Sequence, residues 1–174
     1  MSTFHGNDVL VAAFRSSMLG IRKHASAGTV KSGELKVVSG GQTGADRAAL
    51  DWAIENGIPR GGWCPKGRKA EDSPIDGKYQ LKEAPSSDYS QRTEWNVRDS
   101  DGTVILSIGE HLTGGSANTL EFAIKHRKPH LHLSATSRNN AASELKKWLQ
   151  QNNIRVLNIA GPRVSKESEI AQLD

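Results

Sequence analysis

Three glycines fall within five residues at Gly40, Gly41 and Gly44, inside the run Val37-Val38-Ser39-Gly40-Gly41-Gln42-Thr43-Gly44-Ala45-Asp46. Without β-carbons, such a stretch lets backbone N–H groups approach a ligand closely. Gln42, Thr43 and Asp46 add short polar side chains to the same turn. A helix starting here would contribute about half a positive charge at its N-terminus. The chemistry this suits is holding an anion, either a phosphate or another oxyanion. An ordinary tight turn between strand and helix has the same composition, so one loop does not decide the matter. A second loop of the same design, Leu112-Thr113-Gly114-Gly115-Ser116-Ala117-Asn118-Thr119, makes coincidence a poor explanation. Gly114, Gly115, Ser116 and Thr119 therefore join the candidate ligand-binding residues.

The elements that must position these loops are legible on either side of them. Leu35, Val37 and Val38 form an apolar run that reads as a buried strand. Arg47 to Asn56 carries Leu50, Ala53 and Ile54 at helical spacing. Thr103 to Ser107 is a second strand run, and Leu120 to Ile124 opens a second helical pattern after its glycines. Two strand–glycine–helix units in one chain place both helix N-termini on the carboxyl edge of a parallel sheet, where open α/β sheets bind ligands.

Several longer motifs occur in order: SGGQTGADRAALDWAIENGIPRGGWCPKGRKAED, RTEWNVRDSDGTVIL, LTGGSANTLEFA and LNIAGPRVSK. On these, from about Leu35 to Lys166, the chain resembles the putative molybdenum carrier proteins, a Rossmann-like family. The resemblance implies molybdate or the molybdenum cofactor as cargo, and it brings Arg92 and Arg98 onto the site list. A guanidinium suits phosphate. The same wider group includes phosphoribohydrolases and DNA-processing proteins. The first implies an enzyme alternative, cleavage of a nucleotide's N-glycosidic bond, with Glu121 assisting water and Arg98 holding phosphate. Against it, the chain reads Gly114-Gly115-Ser116-Ala117-Asn118-Thr119-Leu120-Glu121, which shifts the threonine relative to the glutamate of that motif. The second implies single-stranded DNA binding, for which the sequence offers no clear row of aromatics interleaved with basic residues. The ranking is binding module, then enzyme, then DNA binder.

The bulk numbers fit a soluble single domain. The chain has 174 residues, 36% hydrophobic and 24% charged, with a net charge of +4. That permits an anionic ligand, and nucleic acid is not expected as a partner. No apolar run approaches the roughly 20 residues of a membrane span. One cysteine, Cys64, excludes an internal disulfide and suits the cytoplasm. A homo-oligomer is left open.

Residues 1–33 are read as an N-terminal extension, disordered in preference to an extra helix laid on the domain, and residues 34–174 as the domain. Val9 to Leu19 has a weak amphipathic pattern, and Asp8 alone is acidic before Glu34, a composition a transit peptide would share. Ile58 to Pro65 reads as the second strand. Cys64 within it is a conceivable soft ligand for molybdenum but fits better as a small buried hydrophobe. Pro65 to Ser90 is an irregular connection, with Lys66, Arg68 and Lys69 placed to close over an anion and Tyr79 to Leu81 as a short edge strand. Tyr89 to Arg98 reads as a helix capped by Ser90 with Trp95 inward. Asp99 and Asp101, two apart, fit a turn before the third strand and are an open option for Mg²⁺. His130 and His132 share one strand face, without a nearby third metal ligand. Asn139 to Gln151 is an amphipathic helix, Arg155 to Ile159 the last strand, and Gly161 and Arg163 follow it. Val164 to Asp174 reads as a short polar tail, one docked helix at most. The reading is an α/β, Rossmann-like three-layer domain with a mostly parallel sheet.

Overall fold

The computed structural model describes residues 35–166 and, earlier in the chain, residues 12, 14–16, 18 and 21. The transit-peptide reading of residues 1–33 and the end of the tail lie outside the described residues. Of the tail, residues 164–166 form a helical turn.

Five strands form one parallel sheet: β1 (Lys36–Val38), β2 (Arg60–Gly61), β5 (Gly102–Ser107), β6 (His130–Ser134) and β7 (Val156–Ala160). Their order is β2-β1-β7-β5-β6, so the last strand lies in the middle. Val37 pairs with Leu157, and Gly102 with the same Leu157 on the other side. Helices α1 (Ala45–Glu55), α2 (Tyr89–Arg98), α3 (Gly114–Lys125) and α4 (Ala141–Gln151) complete the layers. Because βαβ crossovers are right-handed, α1, leading outward from β1 to β2, and α3, leading the other way from β5 to β6, cover opposite faces. Both of their N-termini nevertheless stand at the carboxyl edge. The α/β class and the parallel sheet are those expected.

The main core gathers Val104, Leu106 and Leu157 from the sheet, Ala49, Trp52 and Ala53 from α1 and Leu145 from α4. Phe14 and Met18 belong to it too, both essentially without solvent exposure. Phe14 meets Trp52 edge-on at 6.1 Å, and Arg15 forms a two-point ion pair with Glu55. The described residues of the N-terminal segment are thus helical and packed on α1.

Several boundaries differ from the sequence reading. The second strand breaks at Gly62, whose φ of 124° is closed to side chains. An added β-carbon there would lie 2.4 Å from the Ser39 carbonyl oxygen. Beyond the break, β3 (Trp63–Cys64) leaves the sheet and pairs with β4 (Lys82–Glu83). The edge strand expected at Tyr79 to Leu81 is instead a 3-10 turn, Gly77–Tyr79, ahead of β4. Asp88, not Ser90, caps α2, its carboxylate accepting the Ser90 N–H at 3.1 Å. Trp95 is half-buried, edge-on to Trp63 at 4.8 Å. Helix α3 starts at Gly114, so the second glycine pair lies inside its first turn rather than in a loop before it. A 3-10 stretch, Ala135–Asn140, precedes α4.

Candidate functional site

Five segments leave the carboxyl edge: those following β1, β2, β5, β6 and β7. The first contains Gly40, Gly41, Gln42, Thr43 and Gly44, and the N–H groups of Gly40, Gln42 and Thr43 are already engaged. Asp46, buried in the first turn of α1, accepts the Gln42 N–H at 3.3 Å, with further backbone hydrogen bonding from Gly40. Thr43 N–H goes to the Gln42 side-chain oxygen, Ala45 N–H to the Pro162 carbonyl and Arg47 N–H to the Gln42 carbonyl. The loop folds around its own carboxylate. Burial pushes the Asp46 carboxyl up, while Arg92, 3.6 Å away, and the backbone N–H groups pull it down.

Arg92 is held from α2 across Gly40, where an added β-carbon would come within 2.3 Å of the guanidinium. Its Nε is buried and has no hydrogen-bond partner among the described residues. A buried donor without a partner costs free energy. Gly41 has a different reason to be glycine. Its φ is 77°, and a β-carbon would strike Leu81 at 2.6 Å and Ile75 at 2.9 Å. Those side chains belong to a second apolar cluster with Leu50, Cys64 and Tyr79. Backbone conformation and packing therefore already require glycine at position 41. Cys64 sits in that cluster, its thiol pushed up by burial.

The N-terminus of α3 contrasts with that of α1. Gly114 and Gly115 are exposed, and a β-carbon on either would meet no atom within 4 Å. The first-turn N–H groups of a helix lack intrahelical acceptors. The Ala117 N–H reaches the Thr113 carbonyl, while Gly114, Gly115 and Ser116 donate to no other element among the described residues. The Ser116 residue is buried to 8% exposure, and its hydroxyl likewise has no partner among them. Thr119 turns its hydroxyl back to the Gly115 carbonyl at 2.9 Å, so it supports the turn.

Two groups do not come to this edge. Arg98 and Asp99 close the far end of α2, in the turn that starts β5, and so lie at the sheet's amino edge. They pair with each other at 2.7 Å, and Asp99 also accepts the Trp63 indole N–H at 2.8 Å. Asp101 accepts the N–H groups of Arg155 and Val156. These carboxylates are spent on the fold, and no group of three or more His, Cys, Asp or Glu side chains is placed for a metal among the described residues. Glu121 lies two turns into α3 on its exposed side.

Arg163 does reach the edge, but through a residue the sequence reading did not single out. Glu71 accepts hydrogen bonds from the Ser165 N–H and hydroxyl and from the Thr43 hydroxyl, with Arg163 at 3.6 Å. Arg47 holds neighbouring Asp72. The irregular segment 65–90 thus closes over the first loop with carboxylates, not with Lys66, Arg68 and Lys69. Burial opposes the Glu71 charge, but the hydrogen bonds from Ser165 and Thr43, with Arg163, outweigh it and hold the carboxyl below its ordinary range. A carboxylate lowered in the folded state stabilises above its unfolded pKa and loses that contribution as pH falls through its folded pKa. The protection factors of the Val164 and Ser165 amides, taken relative to their intrinsic exchange rates, are therefore expected to fall on acidification through and below the ordinary carboxylate range. Glu71→Gln should show that lower protection already at neutral pH.

Comparison with known proteins follows this geometry. The model of the circularly permutated YpsA SLOG family matches residues 37–174. The chain belongs to that family. The crystal structure of a putative molybdenum carrier protein from Syntrophus aciditrophicus SB shares 54% identity and a TM-score of 0.76, over 80% of this chain and 90% of that one. A second solved structure, (E)-4-hydroxy-3-methyl-but-2-enyl diphosphate reductase, has 8% identity and a TM-score of 0.32, over 95% of this chain and 65% of that one, and carries no argument. No curated protein matches. A family model that starts at Val37 leaves Phe14 and Met18 outside the shared part, although both are core residues here. No described helix is long and apolar enough to cross a membrane.

Proposed function

We propose that this protein binds a small anion, molybdate or a phosphate-bearing molecule such as the molybdenum cofactor, at the carboxyl edge, with the first turn of α3 as its seat. The open first turn carries this reading: Gly114 and Gly115 leave their N–H groups approachable, and Ser116 adds a hydroxyl. A helix N-terminus with free donors favours negative charge. The similarity to a putative molybdenum carrier protein supports molybdenum as the cargo. The first glycine loop then has a supporting role, since Asp46 fills it and orients Arg92.

Gly115→Val separates access from folding, because an added β-carbon meets no atom of another element within 4 Å. It is expected to preserve the melting temperature and abolish binding of molybdate and inorganic phosphate in isothermal titration. Ser116→Ala should cost about 0.5–1.5 kcal/mol, or up to about 3 with a charged, buried anion. Lys125→Ala, at the other end of α3 and paired with Glu94 at 2.6 Å, should change nothing. Full affinity in Gly115→Val, or equal weakening by Lys125→Ala and Ser116→Ala, would remove α3 as the seat.

A further inference from the structure

The two edges of the parallel sheet are finished differently. At one, β2 is two residues long and stops at the Gly62 break. At the other, β6 keeps unbroken register with β5, from His130 opposite Thr103 to Ser134 opposite Ser107. Native edges are blunted by charged residues, proline, bulges or very short strands. The stretch His130 to Ser134 has no Asp, Glu, Lys, Arg or Pro, and no bulge.

The Thr103 N–H donates to the Pro129 carbonyl, so Leu131 and Leu133 turn their backbone groups toward β5. His130 and His132 turn theirs outward, and no backbone hydrogen bond reaches them among the described residues. Helix α3 adds an apolar row beside this open edge. Its Lys125 and His126 reach Glu94 of α2, which marks its inner flank. Ala117, Leu120 and Ile124 are spaced three and four apart, and at about 100° per residue they lie on the opposite flank. The sheet ends at β6, so that flank faces outward. Ile124 is 61% exposed, the one large hydrophobic so open among the described residues.

We propose that this edge docks a second copy of the chain about a two-fold axis, joining the two sheets through antiparallel β6 strands. The Ser134 carbonyl begins the 3-10 stretch that Ser134 caps, so the pairing falls on His130 and His132. His130 exchanges both backbone hydrogen bonds with the partner's His132, and His132 does the same with the partner's His130. The axis then passes between Leu131 and the partner's Leu131, a closely spaced pair whose half-buried side chains meet. Strands lie about 4.8 Å apart, so the two crossover helices, each over β5 and β6, come to about 10 Å apart. That is helix-packing distance, and it sets the two Ile124 rows against each other. A foreign strand would satisfy the backbone groups alone, whereas a second copy also covers Ile124. Neither the strand nor the row carries an acidic, lysine or arginine side chain, so two chains of net charge +4 meet there without opposing cations. A five-residue strand edge flanked by helix layers offers roughly 500 Å² a side. The total, about 1,000 Å², is the lower end for a specific interface, so the dimer forms and dissociates with concentration.

Sedimentation of the full chain over a wide range of concentration tests this. The mass should rise from monomer toward dimer. Amide exchange should show His130 and His132 unprotected in the dilute monomer and protected in the dimer. Ile124→Lys, at an exposed site, should keep the protein monomeric throughout and leave the melting temperature at high dilution unchanged. His130→Pro removes an outward N–H while sparing the ladder to β5. It should weaken the dimer about tenfold, the loss of two symmetry-related hydrogen bonds. A monomer at every concentration, a dimer indifferent to both variants, or protected His130 and His132 amides in the dilute monomer overturns the inference. The last result would mean that another part of the same chain already pairs with β6.

Discussion

Gly41→Val is expected to destabilise the fold strongly rather than merely to weaken a ligand. At a φ of 77° a β-branched residue is strained, which costs about 1–3 kcal/mol. Its side chain would also drive into Leu81 and Ile75, and overpacking of this kind adds about 1–3 kcal/mol. Together these remove on the order of 2–6 kcal/mol from a domain whose total stability is about 5–15 kcal/mol. The urea midpoint of unfolding is the measurement. A normal midpoint combined with lost anion binding would return Gly41 to the role of a ligand contact.

Phe14→Ala carries the second large effect. Phe14 is 1% exposed and edge-on to Trp52, and truncating a buried phenylalanine costs roughly 3–5 kcal/mol. Arg15→Ala, which removes only an exposed ion pair with Glu55, should cost about 1 kcal/mol or less. The difference between the two variants in denaturant unfolding measures how firmly the N-terminal helix is docked. Equal, small effects would mean that the helix contributes little to the core. The docked helix belongs to this chain's fold even though the family model begins after it.

Strand-to-helix alternation was readable because buried strands and amphipathic helices each carry a period. Val104 to Leu106, or the stripe of Leu145, Trp148 and Leu149, needs no tertiary information to be recognised. The two glycine runs were readable as strand-to-helix junctions, but not as different devices. Gly40 and Gly41 are distinguished from Gly114 and Gly115 by what stands opposite them: Arg92, Leu81 and Ile75 come from positions 34 to 52 residues away. One local signal was available, since Asp46 in the first turn of its own helix can occupy the loop that precedes it. The placement of Arg98 was decided by direction. A helix running antiparallel to its strand carries residues two turns apart to opposite edges of the sheet. Glu71 could not be found from pattern, because its partners Thr43 and Ser165 are brought together only by the closed segment between β3 and β4.

The central position of β7 has a consequence for how the protein is made. During synthesis β1 and β2 emerge first and β5 and β6 later, yet neither pair has its inner neighbour until residues 156–160 leave the ribosome. Until then, the inner edges of β1 and β5 carry unpaired backbone groups and invite pairing with another chain. Closure demands contacts between residues about 120 apart, such as Val38 with Asn158, and such non-local pairing is slow. A nascent chain stalled before Val156 is therefore a pair of half-sheets awaiting a keystone, and a natural client for a chaperone that shields strand edges.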